Sequence, residues 1–210
     1  MGVGFVIFLH LIVIFILSVI ISIVVGLLTF HLSKKEKRKQ KVFAAILSPF
    51  FGLYTLYFVG LLGSIVVSEI KNVDIGIGDS FYVPLIDNCE LRFIDSPDYA
   101  YIENNGQQII HDISKIQQID YQIFGKTKDD GYFSYDIQKN ELIKFKDENE
   151  LTVDESNEKL ELINISEFYS DKKSEATGFS LIIVGVISLI ASVTIVYMLI
   201  KLIVGYLNFR

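Results

Sequence analysis

Apolar residues follow two patterns along this chain: long unbroken runs toward the ends and short alternating stretches in the middle. Val3 to Leu32 is apolar almost throughout. As a helix it would extend roughly 45 Å, where about 20 residues are enough to span a bilayer. Val42 to Val67 forms a second run, interrupted only by Pro49 and several glycines, which membrane helices tolerate. Phe179 to Ile200 is a third. It is followed by Lys201, which can snorkel to the interface, and a short apolar tail to Arg210. The pattern predicts an integral membrane protein with three transmembrane helices. The first run reads as a retained helix, because it lacks a basic leader and a small-residue cleavage site and is too long for a signal peptide.

The middle of the chain alternates. Phe81, Val83 and Leu85 alternate, as do Leu91 and Phe93 around Arg92. Tyr99 to Glu103 leads into Asn104-Asn105-Gly106, and Asn-Gly is the strongest short hairpin signal. Ile123 and Phe124 precede Asp129-Asp130-Gly131; Phe133, Tyr135 and Ile137 alternate before the turn Gln138-Lys139-Asn140; Ile143 and Phe145 continue the pattern. The expected fold is an antiparallel β-meander of about six or seven strands inserted between helices 2 and 3. Ile109, Ile113, Ile116 and Ile119 fit a helix nearly as well as a strand, so that segment stays open. Asp147 and Glu150 form a capping-box pattern that predicts a short helix from Glu148. Leu160 and Leu162 predict a last strand, and Ser166 to Lys172 a helical turn before the third span. Three regions result: a helical hairpin over 1–68 with a loop at 33–41, a β-rich domain over 69–178, and the third helix with its tail over 179–210.

Charge divides along the same lines. Residues 69–175 carry 24 acidic and 11 basic side chains, a net of −13, while the whole chain carries −6. Such a domain would repel nucleic acid and anionic headgroups alike, which leaves a cationic partner or cation as the complementary choice and a solvated surface as the plain one. The basic residues gather between the first two spans: Lys34, Lys35, Lys37, Arg38, Lys39 and Lys41, with Glu36 alone opposing them. Short basic loops stay cytoplasmic, so the N-terminus and the β-domain are expected outside the plasma membrane and the C-terminus inside. Attraction of this loop to anionic lipid or RNA is the other use of such a cluster.

Small residues recur four apart in each span, a spacing that lets helices approach closely. They are Ser18, Ser22 and Gly26; Ala44, Ser48 and Gly52; Gly60, Ser64 and Ser68; and Ser188 and Ser192. They suit packing of the three helices on one another or docking on a larger membrane partner.

Few residues offer chemistry. Cys89 is the single cysteine, which excludes an internal disulfide and a cysteine metal cluster and reads as buried and inert. His10 is the one ionisable side chain well inside a span, too little for a proton relay. DIGIGD, with Asp74, Gly76, Gly78 and Asp79, lacks the Lys-Ser/Thr ending of a phosphate loop and reads as a flexible exit from the membrane. Asp129-Asp130-Gly131 lacks the alternating ligands of a calcium loop. Asp87, Glu90, Asp95 and Asp98 read as scattered solvated carboxylates, with a cluster on neighbouring strands around a cation as the alternative. His111 has no second histidine or cysteine nearby for zinc. No catalytic, cofactor or metal site is expected. The tyrosines Tyr99, Tyr101, Tyr121, Tyr132 and Tyr135 are the candidate partner contacts, as interface anchors often are, and core packing is their other use.

Tyr121 to Phe145 resembles a hairpin pair from a β-propeller blade, although the domain is too short to close a propeller. GDSFYVPL, IDSPDYAYI and YFSYDIQKNELIKF resemble stretches of small bacterial envelope proteins, notably of Bacteroidota. The resemblance covers Gly78 to about Tyr169 and implies an envelope location; it brings no activity and no functional residues. The expected function is a non-enzymatic membrane-anchored binding or accessory subunit of the envelope, whose partners are the bilayer and another envelope protein. An immunity protein against an envelope-targeting toxin, and a subunit of a transporter or membrane enzyme, are the alternatives.

Overall fold

The computed structural model describes residues 2–129, 131–151 and 160–206. Three helices, α1 (Val3–Leu32), α2 (Arg38–Lys71) and α3 (Ile165–Lys201), are each long and apolar enough to cross a membrane. A π-helical turn, Leu202–Tyr206, continues α3. The polar stretch Ser166 to Lys172, expected as a helical turn before the third span, is helical and continuous with the apolar run that follows it; no proline interrupts the two. The chain divides into two compact units, Met1–Val66 with Phe179–Arg210, and Val67–Gly178.

In the helical unit, small residues mark the closest approaches. Ser18, Ser22 and Gly26 are the buried residues of α1. The Ser22 hydroxyl donates to the Ile46 carbonyl at 2.6 Å, and a Cβ on Gly26 would stand 2.9 Å from Ile46 Cγ1. On α2, Gly52, Gly60 and Gly63 face α3. Ser192 Oγ donates to the Gly52 carbonyl at 2.8 Å, a Cβ on Gly60 would lie 3.6 Å from Ser188 Oγ, and one on Gly63 would meet Val184 at 2.5 Å. Ser188 is buried and Ser64 half-buried. Aromatic and polar contacts close the other end of the α1–α2 pair: Tyr54 donates to the Leu11 carbonyl at 3.2 Å, and His10 meets the Tyr57 hydroxyl at 3.3 Å.

The second unit is an antiparallel meander: β1 (Ser80–Pro84), β2 (Cys89–Ile94), β3 (Ala100–Asn104), β4 (Gln107–Ile119), β5 (Gln122–Thr127), β6 (Tyr132–Asp136) and β7 (Glu141–Phe145), paired in sequence order. A short β8 (Ile163–Asn164) pairs with β4. The paired residues are thus Ile163 and Asn164, displaced from the expected Leu160 and Leu162. The expected helix at Glu148 is a 3-10 turn, Glu148–Glu150.

The turns follow from their residues. Asn105 (φ 51°) and Gly106 (φ 77°) both occupy the left-handed region that a two-residue type I′ hairpin demands. Gly131 (φ 85°) sits where a Cβ would stand 2.6 Å from the Phe145 carbonyl oxygen.

The segment left open by its spacing is the 13-residue β4. Ala100 and Ile102 of β3 face Ile113 and Ile110, so β4 spends an extra residue there, with Asp112 at φ 57°. Ile113 and Lys115 then face Thr127 and Lys126, which inserts another around Ser114. Each bulge adds one residue to the two-residue period, so Ile110, Ile113 and Ile116 all point inward at helix-like intervals and are buried. Bulges also bend a strand, and β4 accordingly pairs with β3 through its first half and with β5 and β8 through its second. One core results, shared by both arms of the sheet: Val83, Leu91, Phe93, Ile102, Ile113, Ile123, Phe133 and Tyr135, with Ile165 and Phe168 of α3 and Val73 after α2.

Candidate functional site

At the base of the β-domain lies a buried polar cluster that sequence reasoning placed in a flexible exit. Asp74, 7% exposed, receives hydrogen bonds from the backbone N–H groups of Gly76 (2.6 Å) and Tyr82 (3.2 Å). The Tyr169 hydroxyl donates to it at 2.5 Å and Lys173 Nζ at 2.7 Å. Lys173 also donates to the Tyr169 oxygen at 2.8 Å. Tyr169 and Lys173 are one turn apart in the polar opening of α3, ahead of the apolar run at Phe179, so both reach the same carboxylate. The Tyr169 ring stacks edge-on against Phe81 and Phe93. Burial first, then the hydrogen bond and charge of Asp74, push its phenol above the ordinary tyrosine value. Asp74 engages four donors, its charge is matched by Lys173, and the set acts as a clamp between β1 and α3. DIGIGD is therefore an anchoring segment, the reverse of a flexible exit. Its signal was distant: a YxxxK spacing 95 residues downstream of an aspartate.

The five candidate tyrosines do not form one patch. Tyr135 is fully buried, its hydroxyl receiving from Asn104 Nδ2 at 2.6 Å and donating to Asn140 Oδ1 at 2.7 Å, which removes it from the surface set. Alternation sends it to the same face as Phe133. Tyr99 is 65% exposed in the turn between β2 and β3, where Lys128 stands over its ring and pairs with Asp98 at 3.0 Å. Tyr132, half-buried, donates to Glu148 at 3.0 Å under Lys126. Tyr121 lies in the β4–β5 turn, at the opposite end of β5 from Tyr132's partner Lys126.

Tyr101 belongs to a different arrangement. On the outer face of β1–β3 the register aligns Tyr82, Arg92 and Tyr101 in a row across three strands, with Glu90 opposite Glu103 beside it. Arg92 Nη1 donates to Glu103 Oε1 at 2.8 Å, Glu90 lies 3.8 Å from its Nε, and the guanidinium stands 5.4 Å from the Tyr82 ring centroid. Its side chain is 30% exposed. Arg92 was missed as a site residue because nothing in one strand reveals what its neighbours place alongside.

Of the scattered carboxylates, Glu90 accepts from Asn72 and neighbours Arg92, Asp98 pairs with Lys128, and Asp87 and Asp95 hold left-handed turn positions. Among the described residues no three His, Cys, Asp or Glu side chains are gathered to hold a metal ion. His111 is exposed and meets its neighbour Asp112 at 2.6 Å. Cys89 is buried, and burial pushes its thiol up to about 12. A 190 Å³ hollow on the outer face of β5–β7 is lined by Phe124, Ser134, Asp136 and Lys139. No family model matches this chain, and no curated protein or solved structure is detectably similar to it.

Proposed function

We propose that this chain is a non-enzymatic, membrane-anchored binding or accessory subunit of a bacterial envelope. In this reading the three apolar helices cross the plasma membrane, the basic loop is cytoplasmic, and the β-domain and N-terminus face outward. The Tyr82–Arg92–Tyr101 row carries the reading. Tyrosine and arginine are the residue types that dominate binding hot spots. Here the guanidinium is already held by Glu103, so little side-chain freedom remains to be lost on binding. The net charge of −13 on residues 69–175 would steer a basic partner, with a rate that falls as salt shortens the Debye length from about 10 Å at 0.1 M to about 3 Å at 1 M.

The test is site-specific photocrosslinking in intact cells, with the reactive side chain at Tyr101 and, for comparison, at Tyr121. A discrete adduct from Tyr101 that Arg92→Ala abolishes supports the row as the contact. Equal adducts from both positions would remove it. Orientation is tested separately, using an impermeant thiol probe against cysteines placed at Asn105 and Lys35, both exposed; labelling of Lys35 alone would invert the topology. The acidic excess also favours the immunity reading, in which case expression of this chain protects cells from a basic envelope toxin.

A further inference from the structure

We propose that the groove between α1 and α2 is a binding site for an anionic phospholipid, with an acyl chain along the groove and the phosphate at Arg38; this rests on the reading that the helices cross a membrane. The groove holds about 440 Å³ and is bounded by Val19, Ile23 and Phe30 of α1 and by Val42, Ile46 and Phe50 of α2. Its one hydroxyl, on Ser22, is turned into α2 and donates to the Ile46 carbonyl, so the wall presented to an occupant is hydrocarbon. From Val19 to Phe30 the groove runs about 16 Å along the helix, roughly half of a hydrocarbon core about 30 Å thick. That is the depth of one leaflet, the distance an acyl chain reaches from its headgroup.

The groove opens toward the basic loop. Phe30, which lines it, lies under the Arg38 guanidinium at 5.1 Å, and Arg38 Nε donates to the Ser33 carbonyl at 3.1 Å. These two contacts hold a permanent cation at the groove's mouth. Lys34, Lys35 and Lys39 of the same loop are exposed, and Glu36 is the loop's one acidic residue. Lys37 is committed elsewhere, donating to the Val204 carbonyl at 3.1 Å. A partner helix would use the apolar wall without needing the fixed cation, and a free phosphate would use the cation without the wall. An anionic lipid uses both.

The experiment is native mass spectrometry of the full chain in neutral detergent with equimolar phosphatidylglycerol and phosphatidylcholine. Phosphatidylglycerol should be retained at least about fivefold over phosphatidylcholine, and Arg38→Gln should lower that preference about fivefold, the worth of one interfacial charge. Leu27→Trp, at a wall residue 58% exposed, should fill the groove and abolish retention of both lipids with helix content unchanged. Equal retention of the two lipids overturns the proposal. So does an unaffected Leu27→Trp variant, which would mean headgroup attraction alone. Displacement by glycerol phosphate at equal concentration would identify a free anion as the ligand, and a lipid-free dimer lost on Leu27→Trp would identify a second copy; either overturns it. Release of the chain from membranes by alkaline carbonate would instead overturn the spanning reading, independently of lipid.

Discussion

Tyr169→Phe removes one oxygen from the clamp and leaves the ring packing on Phe81 and Phe93 in place. The carboxylate it serves is only 7% exposed, so water cannot readily replace the lost donor. A hydrogen bond to a charged acceptor is worth about 1.5–3 kcal/mol, and Asp74 keeps Lys173 and two backbone donors. The expected cost is about 2 kcal/mol, which should speed exchange of the amides that close on Asp74, those of Gly76 and Tyr82, about thirtyfold. Asp74→Ala should cost more. It strands both backbone donors, the phenol and the lysine, and breaking a buried pair costs about 3–5 kcal/mol; Lys173 is 22% exposed, which places the expectation at the lower end. Hydrogen exchange of the full chain in detergent, read by mass spectrometry over residues 73–84, measures both. If Tyr169→Phe leaves those amides protected within threefold of the parent, the clamp does not hold β1 to α3.

Gly125→Ala should destabilise the sheet by about 1–3 kcal/mol through overpacking, because its Cβ would stand 2.4 Å from the Phe133 ring and 2.9 Å from the Lys115 carbonyl oxygen; unchanged exchange in β5 and β6 would contradict the close approach. The Cys89 thiol keeps its proton to about 12 in the fold, whereas an unfolded thiol releases it near pH 8.5. Its stabilising contribution is therefore complete below about 8.5 and lost as pH rises toward 12, and Cys89→Ala should flatten that part of a stability–pH profile. At pH 8 iodoacetamide should modify Cys89 only after unfolding, since the thiolate is the nucleophile; prompt modification of the folded chain would refute its burial. Residues 67–178 expressed alone should fold as a reductant-insensitive β-rich monomer, and a disordered circular dichroism spectrum would contradict that independence.

Legibility in the sequence tracked how local the determining interactions are. The first span coincides with α1, and Asn105-Gly106 marks its hairpin, because apolar length and left-handed turn chemistry are written in adjacent residues. β4 resisted assignment for a specific reason: two bulges stretch its inward spacing from two residues to three, and three is close to a helix's 3.6. Tyr135 was misplaced as a surface anchor because residue type favours interfaces while alternation with Phe133 points it inward, and the strand's period prevailed. Arg92 gains its neighbours Tyr82 and Tyr101 only once three strands are in register. Asp74 and Lys173 are 99 residues apart, and no local pattern connects them.

That separation orders how the domain is made. The seven strands join by short turns, so each can zip onto its predecessor as soon as it is synthesised, and local pairing of this kind is fast. Closure is another matter, because the partners of Asp74 belong to the opening turns of the third helix. A growing chain therefore holds a laddered but unsealed sheet, with Phe81 and Phe93 lacking the Tyr169 ring, until Lys173 has been made. The third helix is thus both an apolar rod and the last piece of the domain before it. A chain cut short between Phe145 and Tyr169 would keep the residues of its hairpins and lack both partners that close on Asp74, so it should be cleaved by protease faster than the full chain.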